Sequence, residues 1–150
     1  FLDHNRPYTW LGASARGSRT GESTGAFVYR GALLGADEME ENLETPLTAR
    51  KLAQRAGISV RALGRILRDR VGESPMRYYL KVRLQAARNA LFYSDIPIQD
   101  VAASCGFSGP EVFSRSFRSH FGLSPREFRQ QFTREQLRRF RPELDQQLVA

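Results

Sequence analysis

Side chains with catalytic or ligating chemistry are scarce in this 150-residue sequence. There is one cysteine, Cys105, and there are two histidines, His4 and His120. That inventory forms no internal disulfide and no cysteine zinc cluster. His120 lacks metal-ligand spacing and is given no role. No catalytic residue, metal ligand or cofactor is therefore expected, and the reading is not an enzyme. Arginine is the exception. It supplies twenty-one of the twenty-three basic residues, which stand against sixteen acids for a net charge of +7. A planar guanidinium suits bidentate recognition of phosphates and guanine edges. The charge is also unevenly placed. Residues 34–47 hold five acids and no base, whereas residues 48–132 hold fifteen bases against six acids. On charge alone, a nucleic-acid partner stands only slightly ahead of a plain basic surface.

The elements that must position these arginines read as helices from Leu33 onward. An acidic first helix carries Leu34, Met39 and Leu43 and ends near Thr45-Pro46. Thr48 caps a helix over 49–56 that stops at Gly57, and Ser59 caps another over 60–71 that stops at Gly72. Ser74-Pro75 places a cap and an N1 proline before a long helix, 75 to about 92. Pro97 opens a fifth helix ending before Gly106. Ser108-Gly-Pro-Glu111 and Ser124-Pro-Arg-Glu127 both read as capping boxes, and Thr133 with Gln136 as a third, for a polar tail helix interrupted at Pro142. No alternating strand pattern competes between 34 and 132. The body is all-α, about seven helices.

Residues 1–33 differ. Glycines at 12, 17, 21, 25 and 31 defeat a helical period, and 12–25 reads as linker beside the clusters Tyr8/Trp10 and Phe27/Tyr29. The expected organisation is a linker or partly ordered segment over 1–33, the helical body over 34–132, and a polar tail over 133–150. Composition matches an ordinary globular chain, 41% apolar and 26% charged, which excludes collagen-like and wholly disordered classes. No apolar run approaches the ~18 residues of a membrane span. The chain starts at Phe1 without a signal-peptide pattern, as a fragment or processed chain would.

An internal repeat carries the functional reading. LAQRAGIS at 52–59 matches VAASCGFS at 101–108: Ala53 with Ala102, Gly57 with Gly106, Ser59 with Ser108, at an offset of 49. Arg65 then matches Arg115, Gly72 Gly122, and Ser74-Pro75 Ser124-Pro125, at an offset of 50. One residue is therefore inserted near the start of the sixth helix. Each copy has helix-turn-helix spacing: a small residue for close approach, a glycine four residues later for the turn, then an apolar residue packing back beneath it. That residue is Leu63 in the first copy and Val112 or Phe113 in the second.

Residues 34–132 resemble the DNA-binding domain of the AraC/XylS family of bacterial transcription regulators. The resemblance is strongest over Gly106-Phe107-Ser108, Phe113-Ser114-Arg115-Ser116-Phe117 and Phe121 through Arg129, with Arg83-Leu84, Ala86-Ala87 and Leu91 fitting the long central helix. It implies two helix-turn-helix units joined by a long helix, each inserting a recognition helix into the major groove of double-stranded DNA. It implies a cytoplasmic, nucleoid-associated activator working with RNA polymerase. Any small-molecule effector would act through a separate domain, which residues 1–33 are too short to form.

By that resemblance the base-reading candidates are Arg61, Gly64 and Arg65 in the first unit, and Pro110, Glu111, Ser114 and Arg115 in the second. For Arg61 the alternative to reading guanine is a phosphate contact or a solvated side chain, and for Arg65 and Arg115 an intramolecular or phosphate role. Gly64 departs from the family, which commonly has a side chain there. Pro110 brings no donor. Glu111 could accept from cytosine N4, although service in the capping box is the favoured role. Arg50, Arg68, Arg77, Arg118 and Arg126 are the phosphate candidates. Phe107, Phe113, Phe117, Phe121 and Phe128 read as core, as do Tyr78, Tyr79, Leu80, Leu84, Ala87 and Leu91 on the inner face of the long helix. Cys105 reads as a small buried thiol. The long helix spans ~27 Å, and successive major-groove segments lie ~34 Å apart. The expected target is thus an asymmetric pair of boxes one turn apart. Two other classes fit parts of the pattern: a basic helical protein-interaction module, and the DNA-binding part of a DNA-repair enzyme.

Overall fold

Capping chemistry sets most element boundaries. In a computed structural model, which describes residues 24–140, seven helices follow one another and no strand occurs among the described residues. They are α1 (Thr24–Glu41), α2 (Ala49–Ala56), α3 (Val60–Val71), α4 (Pro75–Tyr93), α5 (Ile98–Ser104), α6 (Pro110–Phe121) and α7 (Pro125–Phe140). Thr48 accepts from the Lys51 N–H at 3.2 Å and Ser59 from the Ala62 N–H at 3.0 Å, starting α2 and α3 as their sequences require. The Tyr8/Trp10 cluster, residues 12–23 and Pro142 lie outside the described residues.

The chain divides into two units, one reaching Gln85 and the other beginning at Ala86, so the division falls within α4. In the first unit, Leu52, Ala53, Leu63, Leu67, Tyr78, Tyr79 and Val82 form a buried cluster with Ala36 and Met39 of α1. Each large apolar side chain so buried is worth about 1.5–3 kcal/mol. Burial, together with the carboxylates of Glu40 and Glu73, pushes the Tyr78 phenol well above its ordinary value, so it stays protonated. In the second unit the core is aromatic. Phe113, Phe117 and Phe128 are buried, with ring centroids 5.6 Å apart from Phe113 to Phe117 and from Phe117 to Phe128. Cys105 is buried beside them in sequence, as expected of a packing thiol.

Several boundaries differ from the sequence reading. α1 begins at Thr24, ten residues before the helical body was expected to start. One of the glycines that hid its period, Gly31, is a contact point. A Cβ on Gly31 would lie 2.5 Å from Ile58 Cγ2 and 3.1 Å from the Ala56 carbonyl oxygen, so only glycine lets α1 approach this turn. Ser108 is not a cap: Gly109 is the N-cap of α6, and no side chain bonds into that terminus. The expected box at Thr133 also does not form, because α7 runs through that residue to Phe140. Thr133 lies inside a helix whose backbone N–H groups already have carbonyl partners.

Candidate nucleic-acid interface

The turn between α2 and α3 and the turn between α5 and α6 close in the same way. Gly57 and Gly106 sit at φ 72° and 76°, where a side chain would be strained. The residue after each glycine donates its N–H back to the small residue of the preceding helix. Ile58 reaches the Ala53 carbonyl at 3.1 Å, and Phe107 the Ala102 carbonyl at 2.9 Å. These bonds fix where the second helix of each pair begins. Leu63 and Leu67 then anchor α3, and Phe113 and Phe117 anchor α6. The ambiguity between Val112 and Phe113 resolves by burial: Phe113 is 0% exposed and Val112 45%. The inserted residue lies in the second turn, where Ser108 and Gly109 replace the single Ser59 before a helix of equal length.

With the apolar face inward, the opposite stripe of each helix is left to solvent. On α3 it carries Arg61, Gly64, Arg65 and Arg68, spaced i, i+3, i+4, i+7. Its three arginines are exposed and Gly64 is half-buried. Nothing lies within 4 Å of a Cβ built on Gly64, so that stripe has a gap which no packing demands. On α6 the corresponding stripe is Glu111, Ser114, Arg115 and Arg118, with Pro110 one position ahead. Pro110, Glu111, Arg115 and Arg118 are exposed and Ser114 half-buried. Each unit thus brings its base-reading candidates onto one helical face. The first stripe holds three positive charges, the second two positive and one negative.

Arg50 on α2, Arg77 on α4 and Arg126 on α7 are exposed as well. Among the described residues, no ion pair or hydrogen bond engages the side chains of these three, nor those of Arg61, Arg65, Arg68 or Arg115. Arg118 feels one carboxylate, Glu127, whose acidity it strengthens. Other arginines are occupied structurally. Arg55 pairs with Glu38 at 2.7 Å, and Arg88 lies 5.5 Å over the Phe121 ring and 5.7 Å over Phe128.

Two positioning side chains escaped the sequence reading. The Tyr79 hydroxyl donates to the Asn42 carbonyl and accepts from the Leu47 N–H, clasping the loop that enters α2. Fifty residues later, Arg129 donates to the carbonyls of Leu91, Ser94 and Ile96, at 3.4, 3.3 and 2.6 Å, clasping the loop that enters α5. Asn42 and Leu91, like Leu47 and Ile96, stand 49 residues apart. The repeat offsets would have pointed to this pair once both loops were compared.

The family model described as "Helix-turn-helix domain" matches residues 52–131, more than half of the chain. Among solved structures, a transcriptional regulator with an AraC-type DNA-binding domain from Chromobacterium violaceum is 36% identical. That match covers 68% of this chain and 91% of the other, with a TM-score of 0.66. The chain belongs to the AraC/XylS family. A second solved structure that matches is the DNA-binding domain of AdpA, a global transcriptional factor, in complex with a target DNA. It is 29% identical over 74% of this chain and 96% of that one, with a TM-score of 0.62. The regulator CdhR of Pseudomonas aeruginosa is 41% identical over 88 residues, 59% of this chain and 26% of its own length. The activator RhaS of Escherichia fergusonii is 39% identical over 92 residues, 61% of this chain and 33% of its own length. The chain thus spans about a quarter to a third of these curated relatives.

Proposed function

We propose that this chain is the sequence-specific DNA-binding module of a bacterial transcription activator. The observation that carries the reading is the repeated stripe: two helices after equivalent turns, each burying one face and offering arginines on the other. In this reading α3 and α6 enter successive major-groove segments of one duplex, and a single chain reads an asymmetric site. Arg61, Arg65 and Arg115 contact base edges, and guanine O6 and N7 suit them geometrically. Gly64, Pro110 and Ser114 contribute shape and close approach rather than charge. Arg50, Arg68, Arg77, Arg118 and Arg126 hold phosphates and fix register without reading sequence. The AdpA domain, solved with its target DNA, supports the DNA partner, and RhaS, named an activator, supports activation. Contact with RNA polymerase and residence at the nucleoid follow from that role. No described helix is long and apolar enough to cross a membrane.

Selection of bound duplexes from a random pool, repeated across salt concentrations, tests this reading. With ~6–10 phosphate contacts, log K falls against log salt with a slope of about −5 to −9. A nearly flat salt response, or no enriched sequence, would refute it.

A further inference from the structure

We propose that Glu111 sets a cytosine preference in the second unit and lowers its affinity for every duplex lacking a suitable donor. The inference deepens, and rests on, the reading of α6 as a major-groove helix. The first observation is that the role expected to occupy Glu111 is vacant. The N-cap of α6 is Gly109, in extended backbone at φ −175°, and no side chain bonds into that terminus. A formed box stands in the same unit for comparison. There the Ser124 N–H donates to Glu127 Oε2 at 2.8 Å, and the Glu127 N–H donates to Ser124 Oγ at 3.1 Å. Glu111 is exposed, and among the described residues no hydrogen bond or ion pair holds its side chain.

The second observation is register. Glu111 stands 50 residues after Arg61 and on the same stripe as Ser114 and Arg115, so the repeat places it where the first unit presents a donor. A carboxylate only accepts. Guanine O6 and N7 and thymine O4 are acceptors and repel it, and adenine sets its N7 acceptor beside the N6 donor. Cytosine N4 offers a donor without an acceptor next to it on the same base. The third observation is charge. Glu111 is the one acid on two stripes that otherwise carry arginines, and it would face a polyanion. Where no base donor meets it, it opposes binding, and discrimination arises from that penalty as much as from the bond.

The test is duplex selection with the full 150-residue chain and its E111A, E111Q and E111R variants. The parent site should contain one base pair with a cytosine preference that E111A erases, lowering discrimination there by about tenfold or more. E111Q should move the preference to adenine and E111R to guanine, with the rest of the site unchanged. E111A should also bind unrelated duplex more tightly than the parent. If all variants select the parent's site and only the thermal midpoint falls, Glu111 serves the helix terminus alone. The proposal is then overturned while the DNA-binding reading stands. If the parent selects no duplex, both are overturned.

Discussion

In the first unit the turn and recognition helix rest on Ile58, Leu63, Leu67 and Val71; in the second the same places hold Phe107, Phe113, Phe117 and Phe121. The difference continues beyond the helix pair, with Val82 answered by Phe132 and Tyr78 by Phe128. The first unit fills its smaller side chains with Ala36 and Met39 from α1. The second links ring to ring, from Phe107 against Phe113 at 5.0 Å to Phe128 against Phe132 at 4.4 Å. The polar fixtures differ just as much: a tyrosine hydroxyl clasps one entry loop and a guanidinium the other. What the two units share is the demand at each place, an apolar plug under the turn and a polar clasp behind it. Residue type is free within that demand.

Truncating the plug should have the largest effect and should stay local. Phe117→Ala is expected to cost about 3–5 kcal/mol and Leu67→Ala about 2–5 kcal/mol, by urea unfolding. Amide exchange should show the first loss in the second unit and the other in the first. Equal loss of protection across both units would break the comparison. The clasps come next. Arg129→Met removes the donor to three carbonyls, and Tyr79→Phe removes a single hydroxyl with two partners. Each should cost about 1–3 kcal/mol, Arg129 the more because its donor is charged. Tyr79→Phe outweighing Arg129→Met would mean that the second entry loop holds without its clasp.

A smaller effect of opposite sign is expected at Gly64. Open space surrounds its missing Cβ, so Gly64→Ala should stabilise the fold by about 0.5–1 kcal/mol in thermal unfolding. A loss of stability there would mean the glycine serves packing after all. The smallest effect concerns the caps that follow the recognition helices. The bond from the Ser124 N–H, aided by the Ser124 side chain and the Arg118 charge, holds Glu127 below the usual carboxylate range. A depressed folded-state pKa stabilises above the ordinary value and is lost as pH falls through the lower, folded one. The α7 cap should therefore hold at neutral pH and loosen only in acid. At the α4 cap, Arg77 occupies the place of Glu127, so no carboxylate at that position closes a box with Ser74. Amide exchange at Arg77 and Glu127 against pH separates the two, and identical profiles would refute the assignment.

Much of this was legible in the sequence because caps and turns are local. Thr48, Ser59, Gly57, Gly106 and the Ser124–Glu127 box act within a few residues, and the repeat showed the turn glycine twice. The stripes followed, since a buried Leu63 or Phe113 fixes where Arg61 or Glu111 must point. What escaped depends on residues distant in sequence. Gly31 reads as a helix breaker until Ile58 is seen against it, and Arg129 reads as another surface charge until the loop at 91–96 lies beneath it. The failed box at Ser108 shows the limit of local rules. The inserted residue moved the cap to Gly109, and the spacing to Glu111 no longer fitted.

In the proposed reading, two separate recognition helices read two separate boxes. Duplex selection with Arg61→Ala and Arg115→Ala tests it most directly, with Arg138→Ala in the tail as the surface control. Arg61→Ala should weaken binding to the parent site by about 1–3 kcal/mol and blank a preference in one box. Arg115→Ala should do the same in the other box, and Arg138→Ala should leave the site intact. If both variants select the parent's full site, or if either one blanks both boxes together, the two-helix account is contradicted.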